Sequence, residues 1–399
     1  MTDKIYLQNP YLREISARIV DKKYIDNKFY IKLNRTIFYP NMAGGQPMDK
    51  GTINGVEVLN TYEEGEDIIH VVKDNIQSNN VQLNIDWDTR FDHMQQHTGQ
   101  HLLSSVFYNL YNAETVGFHL GQEYVYIDIT LPELTDEDIN RVEKFSNKIV
   151  FSNFNIKTYY IDKNNVSKIP LRKQPSATSN IRIVEIDGMD YSPCCGTHHR
   201  STGEIGLIKI RKWKKYKGNT RVEFVCGNRA LQDYSWKNTC VNNISTLLSS
   251  KDNDTYNKVK ILFDHTEELE KENRNLQKEL LKYKAKELLN DSMTLNNIQI
   301  IKHKFQNANI KEVSFMSSYL VNNIDDLILI LGIENAEKSQ FILSRSNNLK
   351  INISNIFKKI SKKLGVKGGG SIQTIQGDCS NTDLDLFIND TYEYITKEI

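Results

Sequence analysis

Four side chains able to hold a divalent cation occur in two pairs of identical spacing, His97-x-x-x-His101 and Cys194-x-x-x-His198. Residues four apart on a helix point the same way, so the first pair can offer two imidazoles to one ion. A thiolate and a third imidazole complete a tetrahedral set. Mixed nitrogen and sulfur donors suit zinc, whose borderline softness accepts both. A second register, Cys195-x-x-x-His199, has the same spacing and the same chemistry, so spacing alone leaves two ligand sets open.

These side chains need elements to position them. Met94, Leu102, Leu103, Val106, Phe107 and Leu110 recur at helical spacing and predict a helix over residues 90–111, with His97 and His101 along one face. Cys194 and His198 fall in a loop between runs predicted as strands, 156–161, 181–186, 204–210 and 220–225. Thr135 with Asp138 has the form of a capping box opening a helix to about Ser152. Before residue 88, short β-rich runs at 15–20, 29–33, 56–59, 68–72 and 81–85 alternate with Gly, Asn and Asp turns, the pattern of a small barrel or sandwich. Within this region Gly44, Gly45, Gln46, Pro47 and Asp49 form a loop whose glycines permit backbone conformations closed to other residues.

Further along, Leu262, Leu269, Leu276 and Tyr283 repeat every seven residues, with Val259, Thr266, Asn273 and Leu280 at the companion positions. Glu267 with Lys271 and Glu270 with Arg274 support the helix in the favourable order. Two readings stand: a helix packed against its own chain, or a homodimer formed through this helix or the C-terminal domain. Two clusters could meet RNA. Arg211, Lys212, Trp213, Lys214, Lys215, Tyr216 and Lys217 interleave cations with aromatics between two strands. Lys362, Lys363 and Lys367 stand beside Gly368, Gly369 and Gly370, where backbone amides can approach phosphate. The plainer readings are a solvated hairpin tip and a glycine-rich turn.

Composition sets limits. With 399 residues, 51 basic against 50 acidic, the chain is long enough for several domains, and its net charge of +1 announces no polyanion partner. The five cysteines, 194, 195, 226, 240 and 379, are odd in number and include an adjacent pair, which suits a reduced compartment and metal binding better than a disulfide framework. No apolar stretch has signal-peptide or membrane-spanning form, so a cytoplasmic protein without a membrane partner is expected. The expected fold is α+β and multidomain: an N-terminal small β-barrel at 1–88, an α+β zinc-containing domain at 89–235, a helical coiled-coil linker at 236–292 and a C-terminal α/β domain at 293–399.

Three blocks stand together in a recognisable order: Phe38-Tyr-Pro-Asn-Met-Ala-Gly44-Gly45-Gln46-Pro47-Met-Asp49-Lys-Gly51, then Arg90-Phe-Asp-His-Met-Gln-Gln-His97-Thr-Gly-Gln-His101-Leu-Leu-Ser104, then Cys194-Cys-Gly-Thr-His198 with Thr202-Gly-Glu-Ile-Gly206. The chain resembles the AlaX proteins, free-standing relatives of the editing domain of alanyl-tRNA synthetase, closely over roughly residues 1–230 and more weakly beyond. The family's Gly-Thr-His, matched by Gly196-Thr197-His198, selects His97, His101, Cys194 and His198 as ligands of one zinc. The resemblance implies a zinc-dependent trans-editing hydrolase that removes serine or glycine from mischarged alanine tRNA, with no catalytic group beyond zinc and its water. A pocket that keeps serine and rejects alanine needs polar groups that alanine leaves unpaired, and Thr98 and Gln100 are the candidates. Four protein ligands at once would leave no position for water, a tension within this reading.

The glycine-rich loop, with Gly44, Gly45 and Gln46, is expected to shape the pocket; Met42 and Ala43 depart from the acidic residue and third glycine more usual there. The C-terminal part resembles the DHH-associated domain of long AlaX proteins, expected to bind tRNA or to oligomerise. No Asp-His-His phosphoesterase motif accompanies it, since Asp92-His93-Met94 does not match. No room is expected for an aminoacylation domain, so such a chain edits but does not charge. The editing domain of threonyl-tRNA synthetase shares the ligand motifs. The alternatives are a non-catalytic tRNA-binding protein with structural zinc, or a zinc hydrolase acting on another aminoacyl ester.

Overall fold

The computed structural model describes residues 1–41, 43–122, 124–175 and 180–399; Met42, one of the two departures in the glycine-rich loop, lies outside the described residues. The chain divides into two compact units, Met1–Thr246 and Leu247–Ile399.

In the first unit, six strands close into a barrel in the order Glu14–Ile25, Lys28–Leu33, Asp67–Val72, Val56–Glu64, Gly51–Ile53, Asn80–Ile85. The first strand makes closure possible. Its residues Glu14 to Arg18 pair with the strand Asn80–Ile85, and those from Ile19 on pair with Lys28–Leu33 across a register shift between Ile19 and Asp21. Alternation sends Ile31, Leu33, Ile53, Val58, Val72 and Leu83 into the interior.

The barrel leads directly into a helix of 25 residues, Trp87–Tyr111, whose N-cap Asp86 accepts from the Thr89 amide. Its Leu102, Leu103, Val106 and Phe107 share a core with Ile127, Ile129, Val222 and Phe224 of a four-stranded sheet, ordered Ile208–Tyr216, Asn219–Cys226, Val125–Ile129, Thr115–Leu120. The last two strands lack a strong sequence signal because Gly117, His119 and Asp128 interrupt their apolar runs. Both bonds of the Thr135 and Asp138 capping box open the helix Asp136–Ser152. A three-stranded sheet follows, Ile156–Ile161, Ile181–Ile186, Asp190–Pro193. The strand expected from residue 204 starts only at Ile208, because Thr202–Ile205 is a tight 3-10 turn closed by Gly206 at φ 75°.

The expected boundary at 235 falls inside the helix Gly227–Leu247, and the two units divide after Thr246, within the expected linker 236–292. The second unit opens with a 3-10 turn, Asp252–Asp254, and the helix Thr255–Glu287. Its six-stranded sheet runs Ser292–Leu295, Ile298–Gln306, Leu327–Glu334, Ser339–Arg345, Thr374–Cys379, Lys367–Gly370. Leu327–Glu334 is apolar almost throughout because both its faces are covered: Ile328 and Ile330 meet the helices Ile353–Leu364 and Leu384–Glu398, while Leu329 and Leu331 meet Ile310–Asn323. No described helix is long and apolar enough to cross a membrane.

Candidate metal centre

His97 and His101 project from one face of the helix with ring centroids 5.3 Å apart, and His198 stands 4.5 Å and 4.6 Å from them. Cys194 Sγ lies 3.5 Å from His97 Nε2 and 3.3 Å from His198 Nε2. One donor atom from each of the four falls within 4.8 Å of the others, a cluster able to hold a metal ion. The neighbouring register is not brought there. Cys195 is exposed, and His199 turns away, its Nδ1 3.3 Å from the Tyr11 hydroxyl and 3.6 Å from Glu204 Oε2.

Each imidazole faces a polar group at Nδ1. Gln46 Oε1 stands 2.9 Å from His97, Thr98 Oγ1 3.2 Å from His198, and Asp190 Oδ2 3.5 Å from His101, the last an ion-pair distance without a hydrogen bond. A proton held on Nδ1 leaves Nε2 bare toward the cluster and fixes the ring's orientation. These groups are held in turn. Arg172 Nε and Ser192 Oγ each donate to Asp190 at 2.8 Å. The Gln46 amide accepts from Thr197 N at 3.1 Å and donates to Thr197 Oγ1 at 2.8 Å. Arg182 Nη1 donates to the carbonyls of Cys194 and Gly196 at 2.8 Å and 2.9 Å, clamping the loop. Only glycine serves at 196, since a Cβ there would run into the His97 ring.

The charges agree with a cation site. Burial pushes the Cys194 thiol up, but His97, His198 and His101 outweigh it and hold it well below the thiol range. Burial likewise acts downward on His101, yet Cys194 and Asp190 raise it to about 9. A buried thiolate thus faces three imidazoles and favours a proton on one of them, a place where a divalent cation could take over from that proton.

Three of the donors, His97, His101 and Cys194, line a cavity of about 640 Å³ together with Tyr6, Tyr39, Gly44, Gln100, Thr115 and Phe118. Phe118 stacks on His97 at 5.4 Å. Gly44 and Gly45 take φ of 60° and 81°, left-handed conformations that let the loop turn at the rim. Gln100 Nε2 donates to Ser104 Oγ at 2.8 Å, and Thr115 Oγ1 donates to the same oxygen at 2.8 Å.

Several expected roles shift. Thr98 is not among the residues lining the cavity: its hydroxyl lies 3.2 Å from His198 Nδ1 and accepts from the His199 amide at 3.3 Å, a placement suited to orienting a metal ligand. Thr98→Val should therefore lower metal affinity about 10- to 100-fold and slow the chain equally on every substrate it accepts. Metal titration beside rates on two mischarged tRNAs checks this, and a loss confined to the serine-charged one would restore the reading role. Asp49 lies away from the cavity, buried against Arg90.

The cluster 211–217 is not a hairpin tip, because residues up to Tyr216 belong to the strand Ile208–Tyr216. The pleat splits it. Trp213 packs partly buried on the core, with Nε1 donating to Leu134 O at 3.3 Å. Arg211 and Lys212 pair with Glu223, and Lys215 with Glu133, while Lys214 is exposed. Lys362, Lys367, Gly368 and Gly369 are exposed, and Lys363 pairs with Asp390 at 2.7 Å. The triple glycine is an edge strand paired with Thr374–Cys379, not a free turn. Sequence reasoning missed Asp190, Arg172 and Arg182, which belong to no motif. The four-residue offset of Asp190 from Cys194 was the available hint.

The threonyl and alanyl tRNA synthetase second additional domain matches residues 181–223, which hold Asp190, Cys194 and His198. The alanyl-tRNA editing protein AlaX-L of Pyrococcus horikoshii is 33% identical over 396 residues, 94% of this chain and 94% of that one. The alanyl-tRNA editing protein Aarsd1 of Mus musculus is 32% identical over 301 residues, 70% of this chain and 72% of that one. An alanine–tRNA ligase of Pyrococcus abyssi is 27% identical over 410 residues, which cover 94% of this chain but 42% of the ligase.

Proposed function

The chain belongs to the alanyl-tRNA editing proteins, and we propose that its cavity receives the 3′ end of alanine tRNA wrongly charged with serine or glycine, with zinc held by His97, His101, Cys194 and His198. It is an aminoacyl-tRNA hydrolase that edits mischarged alanine tRNA in trans. The observation that carries the proposal is the convergence of one thiolate and three imidazoles, of which Cys194, His97 and His101 line a cavity of about 640 Å³. Zinc suits this donor set and, when bound, would supply a Lewis acid beside the ester. Gln46, Thr98 and Asp190 hold the imidazoles in place, and the Phe118 ring covers His97. Gln100 is the polar side chain left to read the serine hydroxyl: it lines the cavity and is steadied by Ser104. A buried polar group left unpaired by alanine discriminates where added volume alone cannot.

Release of amino acid from seryl-, glycyl- and alanyl-tRNA by the purified, metal-loaded chain tests the proposal. Serine or glycine should be freed while alanyl-tRNA survives. Binding without release would favour a structural metal in a tRNA-binding protein, and cleavage of all three alike would remove the editing specificity.

The second unit is proposed to hold tRNA through Lys362 and Lys367 and to pair two copies of the chain. Support for pairing lies in the helix Thr255–Glu287, where Val259, Leu262, Leu269, Leu276, Leu280 and Tyr283 are exposed along the heptad seam. In a parallel, in-register pair, Thr266 and Asn273 would each face their own counterpart, and Glu279 would meet Lys284 of the second copy, the arrangement that polar seam residues favour. A Leu269→Glu, Leu276→Glu variant should turn a dimer into a monomer in light scattering. A wild-type monomer, or a variant that stays dimeric, would sink the pairing.

A further inference from the structure

The four-stranded sheet of the first unit has a second face that the core does not use. Cross-strand pairing sets His119 beside Tyr126, Tyr126 beside Glu223, Asp128 beside Arg221, and Arg221 beside Lys214 on that face. Its rings form one continuous row. His119 stacks on Tyr126 at 5.1 Å and 29°, the Arg221 guanidinium lies 3.7 Å from the Tyr126 centroid and 3.8 Å from that of Tyr216, and Lys217 caps Tyr216 at 5.3 Å. Tyr124, 43% exposed, extends the row beyond Tyr126. Asp128 fixes the guanidinium plane by accepting from Nε and Nη2 at 2.7 Å and 2.8 Å.

We infer that this face is a stacking platform for unpaired nucleotides at the 3′ end of the tRNA substrate, an inference that rests on the editing reading above. Stacking within the row holds Tyr126, Arg221 and Tyr216 upright, and the exposed rings His119 and Tyr124 that they support are free to take a nucleobase on a π face, whatever the base. Charge favours the same occupant. Lys212, Lys214, Lys217 and Arg221 on or beside this face outnumber Asp128 and Glu223, leaving a positive surface for phosphates. Position supplies the third reason. The edge strand Thr115–Leu120 separates the platform from the cavity: Phe118 stacks on His97, and the next residue, His119, begins the row. A single strand whose end enters the cavity over this edge would lie across the platform.

The experiment compares wild type with Tyr126→Val, Tyr216→Val on seryl-charged alanine tRNA, with Kd for the uncharged tRNA measured by anisotropy. Loss of stacking should raise KM and Kd about tenfold while kcat at saturating RNA and metal content hold. Lys212→Gln, Lys214→Gln should weaken binding and flatten its salt dependence. Should the tyrosine pair fail to fold, His119→Ala with Tyr124→Ala replaces exposed rings and should raise Kd by the same route. Unchanged Kd in a folded ring variant, or a fall in kcat with Kd unmoved, would overturn the platform. A wild-type chain that binds tRNA but frees no amino acid would instead fail the editing reading, and the binding comparison would still decide the platform.

Discussion

Cys194→Ser is expected to empty the cluster of metal and to lower release of serine from seryl-tRNA by more than about a hundredfold, beyond what loss of a supporting group costs. Serine keeps the shape but replaces a soft thiolate with a hydroxyl that stays protonated, so one of four donors is lost outright. The thiolate also anchors its surroundings: Cys194 Sγ accepts from the Gly196 amide at 3.3 Å and faces two imidazoles. Cys195→Ser is the control. That thiol is exposed and stands outside the donor cluster, so its loss should leave metal content and rate close to wild type. Elemental analysis of the purified variants alongside their deacylation rates decides the matter. Full metal in Cys194→Ser together with loss in Cys195→Ser would shift the ligand set by one residue.

Asp49→Ala should destabilise the first unit by about 3–5 kcal/mol, the usual effect of leaving one buried charge without its partner. Arg90 and Asp49 are both 0% exposed. Arg90 Nε donates to Asp49 Oδ1 at 2.9 Å, Nη2 reaches Oδ2 and, at 2.6 Å, the Ile37 carbonyl, and Nη1 donates to the Pro10 carbonyl at 2.8 Å. Asp49 also accepts from the Tyr39 amide at 2.6 Å. Removing the carboxylate strands a guanidinium where water does not reach. The clamp joins the barrel to the first turns of the helix that bears His97 and His101, so its loss should loosen the metal as well. Changing both residues together, Arg90→Met with Asp49→Leu, removes the stranded charge and should recover part of the loss. Urea unfolding followed by circular dichroism measures it, and a change under about 1 kcal/mol for Asp49→Ala would mean that the pair carries little of the docking.

Much of this molecule is written locally. The histidine pair is legible because a helix brings residues four apart to one side, and Thr135 with Asp138 opens its helix by contacts three residues long. The all-apolar run 327–333 announces a strand covered on both faces for a similarly short-range reason. The ligand motifs and the relation to the editing proteins are equally properties of the sequence.

What backs each ligand is not local. Asp190 reaches His101 across 89 positions, Gln46 reaches His97 across 51, and Thr98 reaches His198 across 100, so no spacing rule connects them. The difference between Cys194 and Cys195, chemically identical in sequence, arises because the loop clamped by Arg182 presents one thiol to the imidazoles and the other to solvent. Asp49 reads as a member of a glycine-rich loop until the fold buries it on Arg90. The run Arg211 to Lys217 reads as one basic and aromatic cluster until pairing in a sheet sends Trp213 to the core and leaves Lys212, Lys214 and Tyr216 outside. Sequence determines donor types and short-range periodicity. Tertiary structure alone decides which side of a strand faces water and which distant polar group meets each imidazole, because burial and hydrogen-bond partners depend on chain crossings that local propensity does not encode.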